Sequence, residues 1–248
     1  MATSEVVDLN SSLSLESIGG KGLALSKMIK AGFNIPEGFI VTTETKANMT
    51  SSLRDSILKA FDKLGSPYVA VRSSAVAEDG KNTAWAGQFD TFLNTNRDNL
   101  IENIKNCWAS AQSARAIAYA KEQGLKSGGV AVIIQRMIPS KVAGVAFSVH
   151  PVTQNKKHMI IESIYGLGEG LVSGITSPDT HVIDKQTIAI IDAALSGRKT
   201  ILKKLEIINI AKQVIKIEKF FGFPVDIEWA IADKKLHILQ SRPITTLG

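Results

Sequence analysis

The chain has 248 residues, of which 44% are hydrophobic and 21% charged, a composition typical of a folded globular protein rather than a disordered one. No apolar run approaches the roughly 18 to 20 residues that a membrane-spanning helix needs. The 29 basic and 23 acidic residues give a net charge of +6, which suits any phosphate-bearing ligand, and the absence of dense basic blocks does not favour nucleic acid.

Features of secreted proteins are missing from this sequence. Residues 1–5 contain neither the basic segment nor the apolar segment of a signal peptide. Cys107 is the single cysteine, so an internal disulfide is excluded. We therefore expect a cytoplasmic protein without a membrane partner.

The first half of the chain is predicted to be mainly helical. A glycine-rich segment, residues 19–22, leads into a helix that ends near Ala31, just before Gly32. The hydrophobic periodicity then predicts strands and helices in alternation. These are strands at 39–42 and 68–72 and helices at 51–64 and 99–122.

The second half is predicted to be rich in strands. β-Branched runs separated by glycine and proline turns are typical of short strands. Strands are predicted at 130–137, 143–149, 159–163 and 181–184, a helix at 201–221, and a terminal hairpin at 226–232 and 236–241. This order indicates an α+β chain with two lobes, of approximately residues 1–127 and 128–248.

Two segments of the first half could bind phosphate. The segment Gly19-Gly20-Lys21-Gly22 would let the backbone approach an anion at a helix start, and Lys21 would add a positive charge. Arg72 ends a strand, and its planar guanidinium suits phosphate oxygens. Taken alone, the first segment could equally be a glycine-rich turn, and Arg72 a surface arginine at a strand end.

The terminal hairpin could hold a metal ion. With a three-residue turn at 233–235, Glu228 lies opposite Gln240 and Asp226 lies opposite Arg242. A two-residue turn would break this match, because a slip of one residue changes faces. The matched register would place a carboxylate and an amide oxygen where they could hold Mg²⁺ against a polyphosphate. The alternative is a hairpin with exposed polar residues and no ligand.

Together with further segments, these motifs resemble the nucleotide-binding domain of the phosphoenolpyruvate synthase and pyruvate phosphate dikinase family, a domain that rifampin phosphotransferases share. The resemblance covers essentially the whole chain. It is carried by residues 19–22, 71–75 (VRSSA), 86–94 (AGQFDTFLN), 107–110 (CWAS), 135–137 (QRM), 143–148 (AGVAFS), 151–153 (PVT), 162–163 (ES), 166–169 (GLGE), 226–229 (DIEW) and 240–245 (QSRPIT).

The resemblance implies an ATP-grasp-like fold with ATP between two lobes. It implies that Lys21, Arg72 and Arg242 contact the phosphates and act in catalysis, and that Gly87 and Thr91 belong to a loop that covers the phosphates. It also implies that Gln135 lies near the adenine and that Glu228 and Gln240 are ligands of Mg²⁺. The implied reaction moves the β-phosphoryl group of ATP to a histidine on a swivelling domain and leaves AMP and phosphate. A third domain then passes the phosphoryl group to its acceptor.

We expect neither the swivelling domain nor the acceptor domain in these 248 residues, because the chain stops just past the 240–245 segment. The expected protein is thus the ATP-binding subunit of a split dikinase-type phosphotransferase, with a separate phosphohistidine-domain protein as its partner. An excised domain of a longer enzyme fits the sequence too. The alternative function is a regulatory module that binds ATP without transferring phosphate. The final acceptor, whether pyruvate, an antibiotic or another small molecule, is open.

Overall fold

The computed structural model describes residues 4–76, 91–111, 129–172 and 174–245, which form two units divided between Met137 and Ile138. The helices are α1 (Leu15–Lys30), α2 (Ser51–Leu64), α3 (Leu100–Ala111), α4 (Glu169–Val172) and α5 (Lys204–Phe221), and a short 3-10 helix spans Thr43–Thr45. The strands are β1 (Val6–Asp8), β2 (Gly38–Val41), β3 (Val69–Ala75), β4 (Thr91–Thr95), β5 (Val130–Arg136), β6 (Val142–Phe147), β7 (His158–Tyr165), β8 (Asp179–Asp184), β9 (Ile190–Ala194), β10 (Val225–Ala232) and β11 (Lys235–Pro243).

The first unit is built on a five-stranded antiparallel sheet in the order β1-β2-β5-β3-β4. One face of this sheet carries Val71 and Ile134, which pack into a buried cluster with Leu53 and Ile57 of α2 and Ile104 of α3. Helix α1 contacts β3 and β5. This cluster lies on the α2 and α3 side, and Ile18, Leu25 and Met28 of α1 are buried as well.

The second unit is built on a six-stranded antiparallel sheet in the order β11-β10-β6-β7-β8-β9. Helix α5 contacts β6, β7 and β10, and its apolar side chains Ile210, Val214 and Ile217 are buried. Trp229 of β10 is fully buried. Strand β10 lies between β11 and β6, so its backbone pairs with a strand on either side.

Most element positions agree with the sequence predictions. Helix α2 has the predicted bounds, and α3 is described as far as Ala111, so residues 112–122 of the predicted helix lie outside the described residues. The division of the chain falls ten residues later than the predicted lobe boundary at 127, since β5 pairs with β2 and β3 and so belongs to the first unit. Among the described helices, none is both long and apolar enough to span a membrane.

Candidate functional site

Helix α1 is interrupted at the glycine-rich segment. Gly19 has a φ of +69° and a ψ of 173°, which divides α1 into a short first turn and a longer second part. A β-carbon at Gly19 would lie 2.2 Å from the carbonyl oxygen of Ser74, so only glycine allows α1 to approach β3 this closely. The backbone at Gly19 thus makes a close approach, but the group that it approaches is the backbone of Ser74.

Three predicted ligand contacts of the first unit lie on the sheet face that α1 covers. Arg72 of β3 pairs with Ile133 of β5, and Gln135 lies two residues further along β5, so Arg72 and Gln135 share one face. Lys21 of α1 reaches β3, where its Nζ donates to the carbonyl of Ser73 at 3.3 Å. The structure therefore brings a lysine, an arginine and an amide to the same side of the first sheet.

The other predicted residues of this unit are placed as follows. Thr91 begins β4 directly opposite Arg72, and it is exposed. Gln135 is 2% exposed, and its Nε2 donates to the carbonyl of Pro36 at 3.4 Å. Gly87 lies outside the described residues. The adenine role of Gln135 and the loop role of Thr91 stay predictions.

The terminal hairpin has a turn that differs from the prediction. Its turn contains two residues, Asp233 and Lys234, both with positive φ, so the predicted three-residue turn is wrong. A β-bulge corrects the register, because Trp229 pairs with Ile238 whereas Glu228 pairs with Gln240. The predicted pairs survive because the bulge adds the residue that the turn lacks.

Oxygen-bearing side chains form a row across the second sheet. Glu162 of β7 pairs with Val145 of β6, Val145 pairs with Glu228 of β10, and Glu228 pairs with Gln240 of β11. Paired residues of antiparallel strands point to the same face, so two carboxylates and one amide lie on one side of this sheet. We refer to Glu162, Glu228 and Gln240 as the carboxylate row.

Beside this row, the buried Asp226 forms an ion pair with the partly exposed Arg242. The carboxylate of Asp226 accepts from Nε of Arg242 at 2.7 Å, and the second guanidinium nitrogen lies 2.6 Å from the same oxygen. Burial raises the pKa of Asp226, although the positive charge of Arg242 acts in the opposite direction, and the negative charge of Glu228 raises it further. Arg242 therefore has a structural role as well as any contact with a ligand.

The carboxylate row is electrostatically crowded. Burial raises the pKa of Glu162, and the negative charge of Asp226 raises it further. Hard oxygen donors under mutual repulsion fit a divalent cation, which would relieve that repulsion. Among the described residues, no three histidine, cysteine, aspartate or glutamate side chains are close enough to hold a metal ion. Carboxylate and amide oxygens are donors that Mg²⁺ accepts, and this ion can take its other ligands from phosphate and water.

Two contributions to these sites are missing from the predictions made residue by residue. Glu162 belongs to a segment that the family resemblance includes, but its place in the carboxylate row depends on the pairing of β7 with β6 and of β6 with β10. Ser74 of β3 is fully buried and hydrogen-bonds to α1, fifty-two residues earlier in the chain. Local sequence could not show either contact, because both depend on long-range packing.

Comparison with known proteins places the chain in a family. The family model described as "Pyruvate phosphate dikinase, AMP/ATP-binding domain" matches residues 45–201 and 191–248. The chain belongs to this family. A probable phosphoenolpyruvate synthase of Methanocaldococcus jannaschii is 32% identical over 97% of this chain and 26% of its own length. A rifampicin phosphotransferase of Bacillus cereus is 33% identical over 93% of this chain and 34% of its own length.

The dikinase-family chain thus spans about a third or less of these two relatives. Among solved structures, PH1788 from Pyrococcus horikoshii superposes with a TM-score of 0.51 at 13% identity, covering 92% of this chain and 93% of that one. This likeness concerns the fold alone. The recognised family and the predicted mixed α+β class are both confirmed, whereas the ATP-grasp-like arrangement stays a prediction.

Proposed function

We propose that this chain binds Mg-ATP and transfers the β-phosphoryl group of ATP to a histidine on a separate protein or domain, as the ATP-binding part of a dikinase-type phosphotransferase. The carboxylate row is the observation that carries this proposal. It sets acidic and amide oxygens side by side in a chain whose family is defined by an AMP/ATP-binding domain. Such donors suit a cation that accompanies a polyphosphate.

The cationic side chains would offset the charge of the triphosphate. Lys21 and Arg72 share one face of the first sheet, and Arg242 lies next to the carboxylate row in the second unit. Phosphoryl transfer requires little covalent chemistry from the protein, so positioning and charge neutralisation would supply most of the rate. Arginine suits this task because its planar fork can bind two phosphate oxygens at once.

The proposed reaction balances with one water molecule. A bond forms between the histidine nitrogen and the β-phosphorus, and the bond from that phosphorus to the α-phosphate breaks, leaving AMP. The bond between the β- and γ-phosphates also breaks, and water supplies the oxygen with which the γ-phosphate leaves as inorganic phosphate. Glu228 and Gln240 would hold Mg²⁺, with Glu162 beside them, and the bound ion would neutralise negative charge on the phosphate oxygens.

The test combines binding with identification of products. We expect calorimetry to show ATP binding that requires Mg²⁺ and that Glu228→Ala and Gln240→Ala each weaken strongly. The matched control is Glu102→Gln on the exposed surface of α3, which should bind like the wild type. With a phosphohistidine domain supplied in trans, ATP labelled at the β-phosphorus should label that domain and yield AMP.

Three results would contradict all or part of the proposal. Mg-ATP binding that is unaffected by Glu228→Ala and Gln240→Ala would remove the carboxylate row from the site. Tight Mg-ATP binding without AMP formation, with any phosphohistidine domain supplied, would favour the regulatory ATP-binding module instead. ADP as the product would contradict the dikinase type while leaving ATP-dependent transfer in place.

A further inference from the structure

A single buried hydroxyl joins the two parts of α1. Ser74 of β3 is 0% exposed, and its Oγ accepts the backbone N–H of Gly22 at 3.1 Å. The same Oγ donates to the carbonyl of Ile18 at 2.8 Å. These two backbone groups lie on either side of Gly19, where α1 is interrupted. Ser74 therefore contacts both parts of the helix through one atom.

The two groups that Ser74 binds would be partners in a continuous helix. An α-helical hydrogen bond runs from the N–H of residue i to the carbonyl of residue i−4, which here means from Gly22 to Ile18. The Ser74 hydroxyl is inserted between this donor and this acceptor, and side-chain insertion of this kind accompanies a helix kink. The interruption of α1 is thus satisfied by a residue of β3.

Lys21 lies immediately before the residue that Ser74 holds. Its Nζ donates to the carbonyl of Ser73, which separates Arg72 from Ser74 along β3. Ser73 and Ser74 therefore both hydrogen-bond to α1 near its interruption, and Arg72 is the preceding residue of β3. Movement of this part of α1 would carry the Lys21 ammonium away from Arg72.

We propose that Ser74 is a positioning residue that holds Lys21 beside Arg72, so that both cations meet the same phosphate group. The inference depends on the proposed function, since it assumes that Lys21 contacts ATP. Ser74 has no contact with the ligand in this arrangement and acts through the backbone of Gly22. Its two hydrogen bonds are already made to the protein, which leaves the hydroxyl without a free donor for phosphate.

The test is a double-mutant cycle on Mg-ATP affinity, measured by calorimetry with the full chain. We expect Ser74→Ala to weaken Mg-ATP binding roughly tenfold, as for the loss of one ordinary hydrogen-bonded constraint. In a Lys21→Ala background the same substitution should change Mg-ATP affinity little, because Ser74 acts on the ligand only by positioning Lys21. Ser74→Cys keeps the side-chain volume but hydrogen-bonds poorly, and it should weaken binding in the same way if Ser74→Ala fails to fold.

Ser148 provides a matched control in the second unit. It is also 0% exposed, and its Oγ accepts from the backbone N–H of Val225 at 2.8 Å and donates to Glu218 at 3.0 Å. Ser148→Ala removes the same kind of buried hydroxyl, so it should lower stability to a similar degree and leave Mg-ATP affinity unchanged.

The outcomes separate the two proposals. Equal losses from Ser74→Ala in the presence and absence of the Lys21 side chain would overturn the positioning role, and so would an unchanged affinity in Ser74→Ala. Either result, together with weakened binding in Lys21→Ala, leaves the proposed function standing. Unchanged binding in Lys21→Ala would overturn the positioning role alone, whereas an absence of Mg-ATP binding by the wild type would overturn both proposals.

Discussion

At the scale of single residues, the second sheet contains buried carboxyl groups whose ionisation lowers the stability of the fold. Glu162 and Asp226 both have a raised pKa, because burial and neighbouring carboxylates disfavour their ionised forms. Arg242 offsets part of this cost through its ion pair with Asp226. Removing Arg242 would leave the buried Asp226 carboxylate without this partner and would destabilise the fold, so loss of activity in an Arg242 variant would not by itself demonstrate a ligand contact.

Glu162→Gln is expected to stabilise the free chain at neutral pH by about 0.5 to 1 kcal/mol, as substitutions that relieve a strained functional site commonly do. A raised carboxyl pKa means that the folded state holds its proton more tightly than the unfolded state. The contribution of Glu162 to stability therefore falls as pH rises from its ordinary pKa through its raised one. The gain from glutamine should accordingly shrink below about pH 4, where the carboxyl is protonated in both states.

Urea unfolding of Glu162→Gln and the wild type between pH 3.5 and about pH 8 measures this difference, since the linear extrapolation gives the free energy of unfolding at each pH. The control is Glu102→Gln, which removes an exposed glutamate of α3. A gain that increases towards acid pH would show that repulsion around Glu162 is not its source.

At the scale of elements, local signals account for the helices that sequence predicted well. Helix α2 begins after Thr50, whose side chain accepts the N–H of Leu53, and it ends at Gly65 in the left-handed conformation. Both signals lie next to the helix in sequence. The interruption of α1 was not predicted, because it depends on the approach of Ser74 from a distant strand.

The hairpin shows a different limit of sequence reasoning. The turn residues Asp233 and Lys234 lack the glycine that usually marks a two-residue turn with two positive φ values. The bulge between Glu228 and Trp229 has no local sequence signal either. Two undetected features cancelled, so the pairing of Glu228 with Gln240 was predicted correctly for an incorrect reason.

Gly19→Ala is expected to lower the free energy of unfolding by roughly 2 to 4 kcal/mol, because the new methyl group would overlap the backbone of Ser74. Gly32→Ala is the matched control, since Gly32 also has a positive φ, of +81°, but has open space around its β-carbon position. It should cost only about 1 kcal/mol, for the backbone conformation alone. Equal losses in urea unfolding would show that α1 does not need its close approach to β3.

At the scale of the whole molecule, the predicted ligand contacts are divided between the units. Lys21 and Arg72 belong to the first unit, whereas Arg242 and the carboxylate row belong to the second. The division follows sheet membership, since β5 completes the first sheet before β6 opens the second. Sequence alone predicted two lobes but placed their boundary at a glycine-rich segment rather than after β5.

The net charge of +6 should make Mg-ATP binding sensitive to salt. Raising KCl from about 50 to about 300 mM is expected to weaken binding severalfold, because counterions screen the attraction between the cations and the phosphates. Lys21→Ala should make the dependence of affinity on salt shallower, as one attracting charge is removed. Calorimetric titrations at four salt concentrations measure both slopes, and parallel slopes would argue against a phosphate contact by Lys21.

The bulge in the terminal hairpin makes the pairing at its base independent of the length of its turn. Without it, a change of one residue in the turn would move Gln240 and Arg242 to the opposite face of the sheet. With it, the tip can keep a tight turn while the base keeps its pairs, Glu228 with Gln240 and Asp226 with Arg242. A residue gained or lost at the tip can thus be compensated at the bulge, so the length of the turn does not by itself determine which residues pair at the base.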